Sequence, residues 1–192
     1  TNAGESSICI ENAMRNKLGY NKIIFDIEEG IKTINSIRFN FLCSSKNIEV
    51  SLQVPSSLEN VGKNAFAFLT FFELKFKENK NLLTIDEFAF SHCIFKDKFS
   101  FPNNCKYIKD EAFREADFIN GIDFENSKVE IIGAGAFIGA NFNNSNIVFP
   151  NTLFSIKKTA FGLAQKINSV ISLVDSSLKN IGDGAFDTTE VE

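Results

Sequence analysis

The sequence predicts a β-rich solenoid in which coils of about 24 residues stack along one axis and each adds a strand to a parallel sheet. Three observations predict it. A skeleton of one β-branched residue, three variable positions, Ala and Phe recurs: Val61…Ala65-Phe66, Ile85…Ala89-Phe90, Ile108…Ala112-Phe113, Ile132…Ala136-Phe137, Ile156…Ala160-Phe161 and Ile181…Ala185-Phe186. The closing phenylalanines are spaced 24, 23, 24, 24 and 25 residues apart. Between them falls a second recurring segment with strand-like alternation, which in three copies ends at Pro55, Pro102 or Pro150.

Taken in order, residues 6–19 read as a short N-terminal capping helix. Ser7 is placed to cap it, Ile10, Met14 and Leu18 share one face, and Gly19 stops it. A cap is needed because an end coil otherwise exposes the stacked core. Ile23-Ile24-Phe25 follows as a strand. Ile34-Asn-Ser-Ile-Arg38-Phe39 is a degraded first copy, with Arg where Ala is expected and a longer interval to Phe66. The whole chain, 1–192, then reads as a single repeat domain: cap 1–20, stacked repeats 21–186 in about seven coils, and a tail 187–192.

The strands are expected at 49–54, 72–76, 98–101, 121–124, 146–149 and 169–173. Alternation turns Leu52 and Val54, Leu74 and Phe76, Phe99 and Phe101, Ile122 and Phe124, Ile147 and Phe149, and Ile171 and Leu173 inward. Proline cannot donate to a sheet ladder, so it marks where pairing ends. After it the phrasing repeats, Pro55-Ser-Ser-Leu58 against Asp175-Ser-Ser-Leu178, with Leu153 and Cys105 in the same inward slot. The chain then returns through the Ala-Phe segment, where small Ala beside large Phe suits a tight stack.

Composition agrees. The chain has 22 Phe beside 2 Tyr and no Trp, and Phe lacks the polar handle that favours interfaces, so it is core material first. A formal charge of −4 and a pI near 5.2 argue against a nucleic-acid groove and against a polybasic membrane surface. No apolar run reaches the roughly 18 residues of a membrane span. The chain opens at Thr1 without an initiator Met or a signal-like segment, as a mature or trimmed protein would.

The pattern strand, Pro-x-x-Leu, x-x-Ile-x-x-x-Ala-Phe resembles the BspA-like class of leucine-rich repeats over roughly 34–186, and so implies a leucine-rich-repeat solenoid. The family's frequent Ala-Phe-x-x-Cys ending occurs once, at Ala89-Phe90-Ser-His-Cys93. Phe often replaces Leu or Ile in the strands, and the coil from Asp26 to Val54 is irregular. The resemblance implies a non-catalytic, protein-binding domain, extracellular or at the cell surface of a bacterium or parasitic protist, engaged in adhesion or host interaction. An intracellular scaffold or inhibitor on the same solenoid is the alternative, and a polysaccharide-acting enzyme comes third.

The apparent chemical signals are weak. Gly133-Ala-Gly135-Ala-Phe-Ile-Gly139 has the look of a dinucleotide turn, but it is in phase with copies lacking those glycines and no strand-turn-helix unit surrounds it. No cofactor is expected. Cys9, Cys43, Cys93 and Cys105 contain no Cys-x-x-Cys pair, and with one histidine in the chain no metal site is expected. Cys93 and Cys105 read as small buried hydrophobes, with a disulfide between them as the alternative. His92 would have to serve any catalytic triad and has no flanking acid or nucleophile elbow. Acids cluster at Asp26, Glu28 and Glu29, at Asp110 and Glu111, and at Asp123 and Glu125, mostly in turns where charge serves solubility.

The exposed side of the sheet is therefore the expected partner surface. Its outward columns are Gln53, Lys75, Ser100, Asp123, Val148 and Ser172, and Ser51, Glu73, Lys98, Gly121, Asn146 and Val170. Within them Ser51, Gln53, Glu73, Lys75, Lys98, Ser100, Asp123 and Asn146 form the candidate site, whose mixed charge suits a protein better than a phosphate or a metal. The C-terminal end face is expected to stack on further repeats or on another chain, since 187–192 supplies neither strand nor cap. Asn143-Asn-Ser145 is the lone glycosylation sequon, a pattern an Asn-rich chain also produces by chance.

Overall fold

The computed structural model describes residues 22–35, 49–76, 79–171 and 177–190. These residues form a parallel β-solenoid and contain no helix. The helix expected over 6–19 and the Arg38-Phe39 copy lie outside the described residues.

Two strand tracks run through the stack. The first sheet consists, in spatial order, of β1 (Lys22–Asp26), β3 (Glu49–Val54), β5 (Thr70–Phe76), β7 (Ile94–Phe95), β10 (Asp117–Phe118), β13 (Asn141–Val148) and β15 (Gln165–Ile171), all parallel. The second sheet consists of β2 (Thr33–Ile34), β4 (Asn60–Val61), β6 (Thr84–Ile85), β9 (Tyr107–Ile108), β12 (Ile131–Ile132), β14 (Ser155–Ile156) and β16 (Asn180–Ile181). This corrects the expectation of one strand per coil. The β-branched residue that opens each Ala-Phe motif is itself a strand, and two-residue strands are too short to display alternation in a sequence.

The positions of the main strands also need correction. The segments expected at 98–101 and 121–124 form a separate two-stranded sheet, β8 (Phe99–Ser100) on β11 (Ile122–Asp123), while the main-sheet strands lie earlier, at Ile94 and Asp117. The Asp97 carboxylate accepts the Lys98 amide at 2.9 Å where the chain passes from β7 to β8. The strands expected at 146–149 and 169–173 begin at Asn141 and Gln165.

The Ala-Phe motif encodes two consecutive tight turns. The Ala89 amide donates to Asp86 at 3.2 Å and the Cys93 amide to Phe90 at 3.2 Å, with Phe88 at φ 56° and His92 at φ 57° as the third residue of each turn. A positive φ there is the mark of a type II turn. All six Ala-Phe motifs from Phe66 to Phe186 repeat it: Asn64, Phe88, Glu111, Gly135, Thr159 and Gly184 are left-handed before Ala, and Phe68, His92, Glu115, Gly139, Leu163 and Thr188 are left-handed after Phe. The Phe amide then donates to the Ala carbonyl of the next coil, at 2.7–2.8 Å from Phe66 through Phe161. Ala is needed because its carbonyl faces the neighbouring coil while its side chain is buried between coils.

The core is a set of side-chain ladders. Rings of Phe66, Phe90, Phe113, Phe137, Phe161 and Phe186 stack in sequence with centroids 5.1–5.4 Å apart. A second ladder runs Phe71, Phe95, Phe118 and Phe142 at 5.2–5.6 Å. Leu58, Leu82, Cys105, Val129 and Leu153 fill the inward slot after each turn, and all are buried. Asn79 stands where three other coils carry proline. Its buried amide donates to Pro55 and Leu58 carbonyls at 2.7 and 3.1 Å and accepts the Asn81 and Leu82 amides at 2.8 and 2.7 Å.

The tail was expected to add no strand. Its Glu190 amide donates to Ala164 at 2.8 Å and its carbonyl accepts the Ile167 amide at 3.1 Å, the bonds a further rung would make. These bonds need only backbone, so no side-chain pattern announces them.

Candidate functional site

The candidate residues divide between two patches. Ser51 pairs in register with Ile24 on one side and Glu73 on the other. It points outward, yet it is only 7% exposed, and its hydroxyl donates to the Glu73 carboxylate at 3.2 Å. Ser51 thus supports Glu73 and offers no contact area. Gln53 is half-buried beside exposed Lys75, its register partner. Lys75 bonds the Glu73 carboxylate at 2.5 Å, and that hydrogen bond, reinforced by the Glu73 charge, raises the Lys75 pKa.

Lys98, Ser100 and Asp123 meet on the small β8–β11 sheet, where Ser100 pairs with Asp123 and the Lys98 ammonium lies 2.9 Å from the Asp123 carboxylate. Burial acts to raise the Asp123 carboxyl. The Lys98 hydrogen bond, the Glu125 amide and the Lys98 charge outweigh it and hold the pKa below the usual carboxylate value. Asn146 is exposed and its carbonyl oxygen accepts from the Asn168 amide and the Ser169 hydroxyl, each at 2.7 Å. It pairs in register with Ser169, and Val148 with Ile171, one residue off the columns expected from sequence. The bulge between Asn141 and Asn146 causes the offset.

Neighbouring outward positions of the main sheet carry apolar surface that the sequence reading missed. Phe72, Ile94 and Ile119 are 44%, 38% and 39% exposed, and Lys96 between them reaches across β5 to pair with Glu49. Ile94 and Ile119 were missed because the first-track strands at Ile94 and Asp117 were displaced in the reading, and Phe72 because the register shift between Val50 and Ser51 turns outward a residue that alternation with Leu74 and Phe76 places inward. The combination is an apolar patch with a polar, ion-paired border, the composition of a protein-contact surface.

The other chemical candidates are absorbed by the repeat. Gly135 and Gly139 occupy left-handed turn positions at φ 57° and 66°, and a Cβ on Gly133 would sit 2.5 Å from the Lys109 carbonyl carbon. The glycines answer the geometry of the coil, with no phosphate cradle required. His92 stacks on Phe68 with centroids 4.7 Å apart and places Nδ1 3.3 Å from Glu115. Glu29 accepts the Ser56 amide and hydroxyl, both at 3.0 Å, and the Ser57 amide at 3.2 Å; the Ser56 amide leads in lowering its pKa. Asp110 accepts the Ala134 amide at 2.8 Å, and Glu111 pairs with Arg114 at 2.6 Å. Cys93 and Cys105 are both buried and form no disulfide with each other, so that alternative is not realised. Among the described residues no three His, Cys, Asp or Glu side chains gather as a metal site would require. No helix there is long and apolar enough to cross a membrane.

No curated protein and no solved structure matches this chain. The family profile described as the BspA type leucine rich repeat region matches in six copies over residues 11–143 and 130–192. Repeats of this type are generally protein-interaction modules, typically non-catalytic, and are common in surface or secreted proteins. With the two-turn Ala-Phe motif repeated from Phe66 to Phe186 and the profile spanning nearly all of the sequence, the chain belongs to the BspA-type leucine-rich repeat family.

Proposed function

We propose that this chain is an adhesive or host-interaction module at the cell surface or in the extracellular space, and that it binds a protein partner on the outward face of its main sheet. The observation that carries the proposal is the patch of Phe72, Ile94 and Ile119 bordered by ion-paired polar residues. Gln53, Glu73, Lys75, Lys98, Ser100, Asp123 and Asn146 form the polar part of the footprint, and Ser51 holds Glu73 from beneath. Backbone ladders between coils keep this face rigid, so little ordering entropy is lost on binding. The end face around Ile181, which is 54% exposed, is a second contact suited to a further coil or to another chain.

Membrane-impermeant labelling of intact source cells tests location. Labelled peptides from this chain support the proposal, and labelling that occurs only after lysis removes it in favour of an intracellular scaffold. Capture of the partner by the native chain, and its loss when Lys75 and Lys98 are reversed in charge, locates the footprint.

A further inference from the structure

We propose that Asn143 is an N-glycan acceptor, an inference that rests on the cell-surface reading above. Asn143-Asn144-Ser145 is the sole Asn-x-Ser/Thr triplet in the sequence, and the fold treats it unusually. In the β13–β15 pairing Asn141 faces Gln165 and Ser145 faces Ile167, so two extra residues loop out of the ladder. Those residues are Asn143 and Asn144, both exposed and both left-handed, at φ 46° and 61°. Asparagine is among the few residues that tolerate this conformation, which explains the pair without any modification. The bulge leaves the acceptor side chain exposed, with its amide nitrogen on the Ile119 carbonyl of the preceding coil.

The amide chemistry fits. The Asn143 Nδ2 donates one hydrogen to the Ile119 carbonyl at 2.5 Å, and an exposed amide group has a second hydrogen to lose. In the transfer, Nδ2 forms a bond to C1 of the first sugar of a polyprenyl-diphosphate-linked oligosaccharide. The C1–oxygen bond breaks, the polyprenyl diphosphate leaves with its electron pair, and Nδ2 gives up one proton. One N–H remains on Nδ2 for the Ile119 carbonyl. Transfer can precede folding, and the folded bulge accommodates the product without breaking a rung. Placed there, the glycan stands beside Ile119, at the border of the footprint proposed above.

The test is peptide mapping of the native protein before and after treatment with an N-glycan amidase in heavy-oxygen water. The expected result is a labelled aspartate at position 143, abolished by Ser145→Ala and kept by Ser145→Thr when these variants are expressed in the source cells. Unmodified Asn143 in chains that label on intact cells overturns the glycan and leaves the surface reading standing. Unmodified Asn143 in chains that label only after lysis overturns both. A modification that persists in Ser145→Ala overturns the sequon chemistry.

Discussion

The rings of Phe113 and Phe137 lie face to face, 5.1 Å apart and 4° from parallel, while the Phe113 amide donates to the Ala136 carbonyl at 2.8 Å. One dipeptide per coil thus makes both a core contact and a backbone bond to the next coil. Phe113 also meets Phe99, Phe101 and Phe118, at 5.2, 5.7 and 5.9 Å, so it sits at the junction of the aromatic ladders.

Phe113→Ala is expected to cost about 3–5 kcal/mol, the range for emptying a well-packed aromatic site. Phe186, which has a stacked neighbour on one side in Phe161 and is only half-buried, should cost clearly less when truncated. Denaturant titration of both variants checks the order, and equal losses would mean that the ladder does not concentrate stability at its centre.

The left-handed turn positions give opposite outcomes for opposite substitutions. Gly135→Val places a β-branched residue at φ 57° and should lose about 1–2 kcal/mol. Thr159→Gly relieves the same strain at φ 51° and, after the entropy cost of glycine, should gain up to about 1 kcal/mol. Thermal melts of the two variants should move in opposite directions.

Burial pushes the Cys105 thiol up from 9.0 to about 12, with the Tyr107 backbone hydrogen bond a smaller opposing effect. The folded state therefore favours the protonated thiol. The resulting stability is complete below the unfolded value of 9.0 and is lost progressively as pH rises from there through about 12. The loss should reach about 1.4 kcal/mol near pH 10. Urea titrations across this window should show a shallower decline in Cys105→Val, and peptide-resolved alkylation should find native Cys105 unreactive until the chain unfolds.

The pairs Lys75–Glu73 and Lys98–Asp123 are at the surface, where such pairs contribute about 0–1 kcal/mol. Lys75→Glu with Lys98→Glu loses these pairs and sets like charges beside Glu73 and Asp123, so the melt should fall modestly while partner capture weakens at least tenfold. Retained affinity in a folded double variant would move the footprint off these residues.

Much of the stack was legible because it is written in side chains. The Ala-Phe spacing, the inward Leu58 slot and the burial of Cys105 all follow from volumes and periodicity that repeat in register. What escaped was written in backbone. Phe88, Glu111 and Thr159 occupy positions where only a glycine or asparagine would have signalled a left-handed turn, so the two-turn motif looked like variable residues. The second sheet escaped because Asn60–Val61 and its counterparts are two residues long. The outward columns expected from sequence match the register where β3 and β5 pair from Ser51 to Val54. They slip by one residue beyond the Asn143 bulge, and Ser51 was misjudged because a small outward side chain can be covered by its neighbours.

The coil-to-coil bonds from Phe66 to Ala89, and onward to Ala185, all point along the stacking axis. A pull applied between the two ends would load every coil boundary equally and in series. Breaking strength would then be that of the weakest boundary, however many coils are added, whereas a sideways pull would share its load across neighbouring rungs. The direction in which a tether leaves the molecule would thus decide whether it parts one layer at a time or resists as a block.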